Sequence, residues 1–434
     1  MIRDKVSYFS SNSSWIKNRE KTFFKSLEDV DRYQKNRLSY ILYVHDIKRK
    51  EELSHHTNVF PLKKNVKNIK LLRSGTTSIT SDRGYHYSQP EQEIIDRHHI
   101  WKIQKSHQIT QPGNVVWISL SPRMGPDKKF KLIGPKKYEN VGYENDVYEL
   151  FFDQSFNKKE WQLSLELLDN IDIKFIRASP SIIETIYYFL GDSVKFNCSL
   201  MSSEETLNSQ VKKIAESMFN KVIDKMVCWD GCLGWFECPY KIKHIYDELC
   251  VVQQLENDIL SVTDLNNLAC PFINYINGDR GKIGQIECDC GISGNYFKFF
   301  EGKIIESIYV NEEGKEKYIP GRLISEKLSG FFRLGKNYDI KGIDFDKNFT
   351  YRIRQRIDLE IDFYYDSDND LTHDQKERII SFCNFIIWGD KDCKKINIIK
   401  TPIGDLISKE HRRSKSLSVE SDFLRNNRSP NYNK

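Results

Sequence analysis

The chain has 434 residues, enough for roughly two to four domains and a sizeable core, with 39% hydrophobic and 12% aromatic residues. Its 66 basic and 61 acidic residues leave a net charge of +5, too mild a balance to point to nucleic acid as a partner. No apolar run reaches the roughly 18 residues of a membrane span, residues 1–30 carry charge throughout, and the ten cysteines all lie between Cys198 and Cys393. The expectation is therefore a soluble cytoplasmic protein with reduced thiols, without a leader and without a disulfide scaffold.

Residues 1–70 are charged and helix-compatible. Ser74-Gly75-Thr76-Thr77 then follows an apolar stretch. Val115 to Leu120 reads as a buried strand. Ile171 to Ile176 is a strand, and Ser179-Pro180 starts a helix, with the Ser179 hydroxyl accepting a backbone N–H and Pro180 at the first helical position. Ile182, Ile183, Ile186 and Leu190 share one face. Val194 to Leu200 is the next strand. Leu207, Val211, Ile214, Met218 and Val222 recur at helical spacing, and a third strand lies around Met226 to Trp229. This β-α-β-α-β order favours a parallel sheet, whose ligands sit beyond the carboxyl ends of the strands, here near Met201–Glu205 and Trp229–Cys232.

Residues 249–275 are strand-rich, and Ile304 to Val310 is a further strand. Ile357, Leu359, Ile361 and Phe363 alternate with acids in a half-exposed strand. Thr372 and Gln375 form a capping box for a helix over Asp374–Ile387, and Ile396 to Ile399 is a last strand. Beyond Ser414 the pattern stops, so 414–434 reads as a disordered basic tail. The serines behind Arg412-Arg413 form a phosphorylatable context, but a plain basic end is the preferred reading.

Hydroxyls and N–H groups around a glycine wrap phosphate oxygens well, and Ser74-Gly75-Thr76-Thr77 has that make-up. Downstream come Pro180-Ser181, Ser203-Glu204, Glu237-Cys238 with His244, Thr263-Asp264-Leu265-Asn266, Ile273-Asn274-Tyr275-Ile276-Asn277-Gly278-Asp279, Cys288-Asp289-Cys290-Gly291 and Gly302-Lys303. In this order they resemble the adenylate-forming superfamily, and within it the phenylacetate–coenzyme A ligase and capsular-polysaccharide adenylyltransferase-like branch. The similarity runs from about residue 70 to 310 and more weakly to about 413.

The resemblance implies a two-step reaction. A carboxylate attacks the α-phosphate of ATP, pyrophosphate leaves, and the acyl group passes to a thiol such as coenzyme A. It implies that Ser74, Gly75, Thr76 and Thr77 cradle phosphate, that Glu204 and Trp229 line the nucleotide site, and that Asp279 accepts hydrogen bonds from the ribose hydroxyls. Lys303 would stand at the hinge, Asp230 would serve as the carboxylate for Mg²⁺, and Lys409 as the catalytic lysine of the small domain. Several positions depart from the pattern. Ser78-Ile79-Thr80-Ser81 follows Thr77 where a glycine and a lysine are expected. Trp229-Asp230-Gly231-Cys232-Leu233 stands where the family has Tyr-Gly-x-Thr-Glu, and the glycine before Lys409 is missing. A catalytically degenerate nucleotide-binding relative, or an interaction protein that merely keeps the fold, therefore stays open beside the ligase reading.

Cys238 with His244 and Cys288 with Cys290 are two ligand pairs. Together they offer the four N/S donors of a structural Zn²⁺ site, as some members of the branch hold, or else buried free cysteines. Cys232 and Cys270 are assigned to packing. The expected architecture is α/β: a large multi-layer adenylate-forming domain over 1–301 with a smaller hinged α+β C-terminal domain over 302–413. ATP, Mg²⁺ and a small carboxylic acid are the expected ligands, with no membrane partner.

Overall fold

The computed structural model describes residues 24–44, 70–73, 85–88, 100–109, 113–120, 130–136, 146–152, 158–203, 207, 209–228, 233–267, 272–312, 314–321, 323–324, 327–328, 350–367, 369–389, 396–401 and 419–427. The chain divides into two compact units, one of residues 1–205 and 215–300, the other of 206–214 and 301–434.

The first unit opens with α1 (Leu27–Val44) and a two-stranded pair, β1 (Lys70–Arg73) with β2 (Tyr85–Ser88). Its main sheet takes β3 (Asn114–Leu120), β4 (Phe130–Lys136) and β5 (Val147–Phe152), then α2 (Lys158–Glu166), β6 (Ile173–Ala178), α3 (Pro180–Leu190) and β7 (Phe196–Ser202). Helix α4 (Ser209–Met218), whose residues up to Ile214 are counted with the second unit, leads into β8 (Phe219–Val227). The strands β9 (Gly234–Glu237), β10 (Lys243–Ile245), β11 (Cys250–Gln254), β12 (Ile259–Asp264), β13 (Tyr275–Glu287) and β14 (Ser293–Lys303) complete it. The twelve strands run in the order β11-β12-β13-β14-β10-β9-β8-β7-β6-β3-β5-β4. β5, β3, β6, β7 and β8 are mutually parallel. From β8 to β9 and from β9 to β10 the pairing turns antiparallel.

The parallel strands carry apolar residues because both faces are covered. Val115, Phe175, Met201, Ile223 and Phe236 join one core cluster. Ile182, Ile183 and Ile186 are the buried stripe of α3, and Leu190 is half-buried at its end. The start of α3 differs from the expectation in one respect. Ser179 is the N-cap and Pro180 follows it, but the Ser179 side chain makes no cap bond. Its backbone carbonyl instead accepts the N–H groups of Ile182 and Ile183.

Two boundaries also move. The helix expected to reach Val222 ends at Met218, and Val222 pairs with Leu200 inside β8. β-branched Val222 and Ile223 suit a pleated strand better than a helix turn. The strand expected from Ile304 is a 3₁₀ turn over Ile304–Glu306 followed by β15 (Ser307–Glu312), which pairs with β16 (Lys315–Pro320).

The second unit contains that hairpin and a four-stranded sheet. β17 (Thr350–Gln355), β18 (Ile361–Asp366), α5 (His373–Trp388), β19 (Ile396–Lys400), β20 (Val419–Ser421) and α6 (Asp422–Asn427) follow in chain order. The sheet order is β19-β18-β17-β20. Ile353, Phe363, Ile379 and Ile396 meet in its core. The capping box is present: the Gln375 N–H donates to Thr372 Oγ1 at 3.2 Å and the Thr372 N–H donates to Gln375 Oε1 at 2.9 Å. The expected strand over 357–363 is shifted. Ile357 and Leu359 lie in the β17–β18 turn, with Ile357 62% exposed and Leu359 at φ 69°.

The tail reading is overturned at 419–427. β20 pairs in parallel with β17, and Val419, Ser421 and Leu424 are buried. Val419, Phe423 and Leu424 stand among Ser, Glu and Asp with no repeat long enough to read as a strand or helix, but a free strand edge supplies the missing pairing energy.

Candidate functional site: a thiol–imidazole cluster and a caged aspartate

Two hairpin turns in the first unit are built alike. After β9, the Cys238 N–H donates to Ile242 O at 2.9 Å and the Lys241 N–H donates to Cys238 O at 2.9 Å. After β13, the Cys288 N–H donates to Ile292 O at 3.0 Å and the Gly291 N–H donates to Cys288 O at 2.8 Å. The fourth residue of each turn takes a left-handed backbone, Lys241 at φ 63° and Gly291 at φ 85°. β10 joins them: His244 is opposite Phe236 of β9 and Tyr296 of β14. The pairing brings Cys238, His244, Cys288 and Cys290 together, their ligand atoms all within 4.8 Å of one another.

Cys238 Sγ lies 3.9 Å from Cys288 Sγ, and Cys290 Sγ lies 3.3 Å from His244 Nε2. A tetrahedral Zn²⁺ with bonds of about 2.3 Å to sulfur and about 2.0–2.1 Å to nitrogen separates its donors by about 3.5–3.8 Å. The cluster therefore fits a Cys₃His set. Hydrogen bonding from Cys290, aided by His244, holds the Cys238 thiol down to about 4, and the same bond pushes Cys290 upward. Burial pushes Cys288 up. The cluster thus already favours one thiolate, the form a metal requires. All seven cysteines among the described residues are free thiols.

Asp279 is buried near the start of β13. Gly278 before it has φ 83°, and Asn277 closes on it from both ends. Asn277 Nδ2 donates to Asp279 Oδ2 at 2.5 Å, and the Asp279 N–H donates to Asn277 Oδ1 at 3.0 Å. The carboxylate is fixed in one rotamer, which suits a two-acceptor role toward vicinal hydroxyls. On neighbouring β12, Asp264 Oδ1 accepts the N–H groups of Asn266 and Asn267 at 2.8 and 3.1 Å. Thr263 Oγ1 accepts the Asn274 N–H at 3.0 Å. The Thr-Asp-Leu-Asn and Asn-Gly-Asp motifs are thus adjoining strands tied by side-chain caps.

Lys303 ends β14, half-buried, after Gly302 at φ 88°. Ser74, Gly75, Thr76, Thr77, Glu204, Trp229, Asp230 and Lys409 lie outside the described residues, as do Cys232 and Cys270.

One network had almost no sequence signal. Lys102 Nζ contacts Glu248 Oε2 at 2.7 Å with both side chains buried. Asp247 beside it accepts from the Asn295 N–H at 2.7 Å, from Asn295 Nδ2 at 2.6 Å and from Gln34 Nε2 at 3.2 Å. Arg37 of α1 donates to Leu265 O through Nε and Nη2 at 3.1 and 2.8 Å. Only the acidic pair Asp247-Glu248 behind His244 hinted at it, and a pair of acids more often marks a solvated turn.

Among solved structures, 2-hydroxyisobutyryl-CoA ligase shares this fold. Its postadenylation state in complex with R3-HIB-AMP matches at a TM-score of 0.52, covering 82% of this chain and 74% of the ligase at 12% identity. The same state with 2-HIB-AMP matches at 0.52 with the same coverage and 11% identity. No family model matches the chain. No curated protein sequence matches it either. The chain shares the fold of that ligase: a large mixed α/β sheet domain with a smaller C-terminal β-rich one. No helix among the described residues is long and apolar enough to cross a membrane.

Proposed function

We propose that this chain is an ATP-dependent, AMP-forming ligase or adenylyltransferase that activates a small carboxylic acid as its acyl-adenylate and passes the acyl group to coenzyme A or another thiol. The observation that carries this reading is the likeness of fold, over 82% of the chain, to a ligase captured with an acyl-adenylate. Supporting it is the caged Asp279, a buried carboxylate with its geometry set before any ligand arrives.

In this reading a carboxylate oxygen of the acid forms a bond to the α-phosphorus, the bond to the bridging oxygen breaks, and the electron pair leaves with pyrophosphate. Two anions must meet, so neutralising phosphate charge is the main demand. Mg²⁺ supplies that neutralisation when bound, with Asp230 as its assigned carboxylate. Asp279 orients the ribose, Ser74, Thr76 and Thr77 hold phosphate, and Lys409 is the assigned lysine. The division of labour between a domain over 1–301 and a lid over 302–413 belongs to the same proposal.

We also infer that Cys238, His244, Cys288 and Cys290 hold a structural Zn²⁺. A closed four-ligand set leaves no open position for catalysis, so its work is to join two hairpins. ATP–pyrophosphate exchange across a panel of acids tests the main reading. Exchange with at least one small acid is expected. ATP binding without exchange for any acid would replace it with the non-catalytic relative.

A further inference from the structure

The cluster at the ends of the two hairpins holds three thiols and one imidazole. A metal needs them only as donors, but the distances between the sulfurs carry a second chemistry. Cys238 Sγ and Cys288 Sγ are 3.9 Å apart, although the two residues are 50 positions apart in the chain. A disulfide has an S–S bond of about 2.05 Å, so about 2 Å is left to close. A rotamer change about one Cα–Cβ bond moves a sulfur by more than that. Both residues stand at the same step of their turns, each with its N–H donating to an isoleucine carbonyl.

The third thiol is held differently. Cys290 Sγ lies 3.3 Å from His244 Nε2. A bond from Cys290 to Cys288 would have to close inside one tight turn, where the Gly291 N–H already donates to Cys288 O. Access is also uneven. Cys238 and His244 form the buried side of the cluster, and Cys288 and Cys290 are the half-exposed side. A small oxidant from solvent therefore meets the second turn first, with Cys238 behind it.

We propose that Cys238 and Cys288 form a reversible disulfide when hydrogen peroxide reaches the cluster, and that this oxidation dismantles the metal site. The first part stands apart from the ligase reading. The second rests on the Zn²⁺ assignment above.

The Cys288 thiolate attacks one peroxide oxygen. An S–O bond forms, the O–O bond breaks, and the departing oxygen takes a proton and leaves as water. The Cys238 thiolate then attacks the Cys288 sulfur. The S–S bond forms, the S–O bond breaks, and the hydroxide takes a proton and leaves as a second water. Two thiols thus give two electrons and two protons to one peroxide, and a dithiol restores them by exchange. The bridge removes two of the four donors. Cys290 and His244 remain, too few for a closed tetrahedral site.

The rival pairing is Cys238 with Cys290, since all the ligand atoms lie within 4.8 Å of one another. The test treats the folded full chain with hydrogen peroxide, blocks the remaining thiols and digests the protein without reductant. Cross-linked peptides are then read by mass spectrometry. Wild type is expected to give the Cys238–Cys288 bridge as its main product, reversed by dithiothreitol. Cys290→Ser should keep the bridge and Cys288→Ser should lose it. A Cys238–Cys290 bridge in wild type, an irreversible sulfinic or sulfonic acid at Cys288, or no product at all would overturn the inference. Those wild-type readouts decide the matter whether or not either variant folds.

A chromogenic chelator added during oxidation reads the second part, with about one Zn²⁺ expected in solution per bridge formed. A bridge formed with the metal retained would overturn that part. A chain purified without metal would remove the Zn²⁺ assignment and its release together, while the peptide map still judges the bridge. ATP–pyrophosphate exchange enters none of these measurements, so the ligase reading stands or falls separately.

Discussion

Cys238 and Cys288 occupy the same place in two turns of one hydrogen-bond pattern, each donating its N–H to an isoleucine carbonyl four residues on and each receiving the N–H of a left-handed residue three on. The second turn carries the cluster's Cys290 inside the turn. The first has Tyr240 at that position, 55% exposed, and the cluster takes its fourth side chain from the following strand, at His244. One metal would thus tie two hairpins, and with them the β9–β10–β14 portion of the sheet.

The metal reading predicts about one zinc per chain by elemental analysis of protein purified without chelator. Cys290→Ser and His244→Ala should each reduce it sharply. A metal bound only by the folded state adds about 4 kcal/mol when it exceeds its dissociation constant 1,000-fold, so chelation should lower Tm by many degrees. A metal-free preparation with unchanged Tm would return the cluster to plain buried thiols.

Asp279→Ala should weaken ATP in the exchange assay. A charge-assisted hydrogen bond contributes about 1.5–3 kcal/mol, or about 10- to 100-fold in KM. Asp279→Asn keeps an acceptor and the Asn277 N–H contact, so its loss should be smaller. Equal KM values for ATP in wild type and Asp279→Ala would detach this residue from the nucleotide.

Lys102 and Glu248 form an ion pair with both partners out of water. Lys102→Met leaves Glu248 buried and uncompensated, and should cost about 3–5 kcal/mol in urea unfolding. Lys102→Met combined with Glu248→Leu should recover most of that loss, since the isolated charge is gone. A double variant as unstable as the single one would mean that packing, not charge, was lost.

Burial pushes the Asp247 carboxyl up to about 7, against the hydrogen bonds of Asn295 and the nearby Lys102 ammonium, and Glu248 adds to the rise. The same carboxylate faces the buried Cys250 thiol, whose own ionisation it opposes. The folded state keeps the Asp247 proton up to about pH 7, while the unfolded chain releases it near 4. Its contribution is complete below about pH 4 and disappears as pH rises toward 7. Unfolding free energies should therefore decline across that window from this group, and Asp247→Asn should flatten the decline. Parallel pH profiles for the two proteins would show that Asp247 ionises freely.

Removing residues 419–434 strips β20 from the edge of β17 and uncovers Ile353, the register partner of Val419. Arg354 Nε also loses its 2.7 Å contact to Asp422. The truncated protein should unfold at lower urea than the full chain. Val419→Ala should show a milder form of the same defect, about 1–3 kcal/mol for a shortened buried side chain. Unchanged stability after truncation would make the strand dispensable.

Sequence alone determined what depends on near neighbours. The apolar stripe of α3, the Thr372–Gln375 cap and the turn at Gly291 are all settled within a few residues, by helical repeat, by a reciprocal hydrogen bond and by a left-handed backbone. The thiol and imidazole donors were visible too, because Cys and His at short spacing are chemically conspicuous. Tertiary structure decided everything that joins distant segments. Lys102 and Glu248 are 146 positions apart, and nothing local distinguishes that lysine from a solvated one. Trp117 and Arg177 meet only because β3 and β6 pair in parallel with one particular register, and Val419 is a strand residue only because β17 has an open edge. A side chain announces its chemistry wherever it stands; which charges share a low-dielectric space is a property of sheet order, and sheet order is a long-range packing outcome.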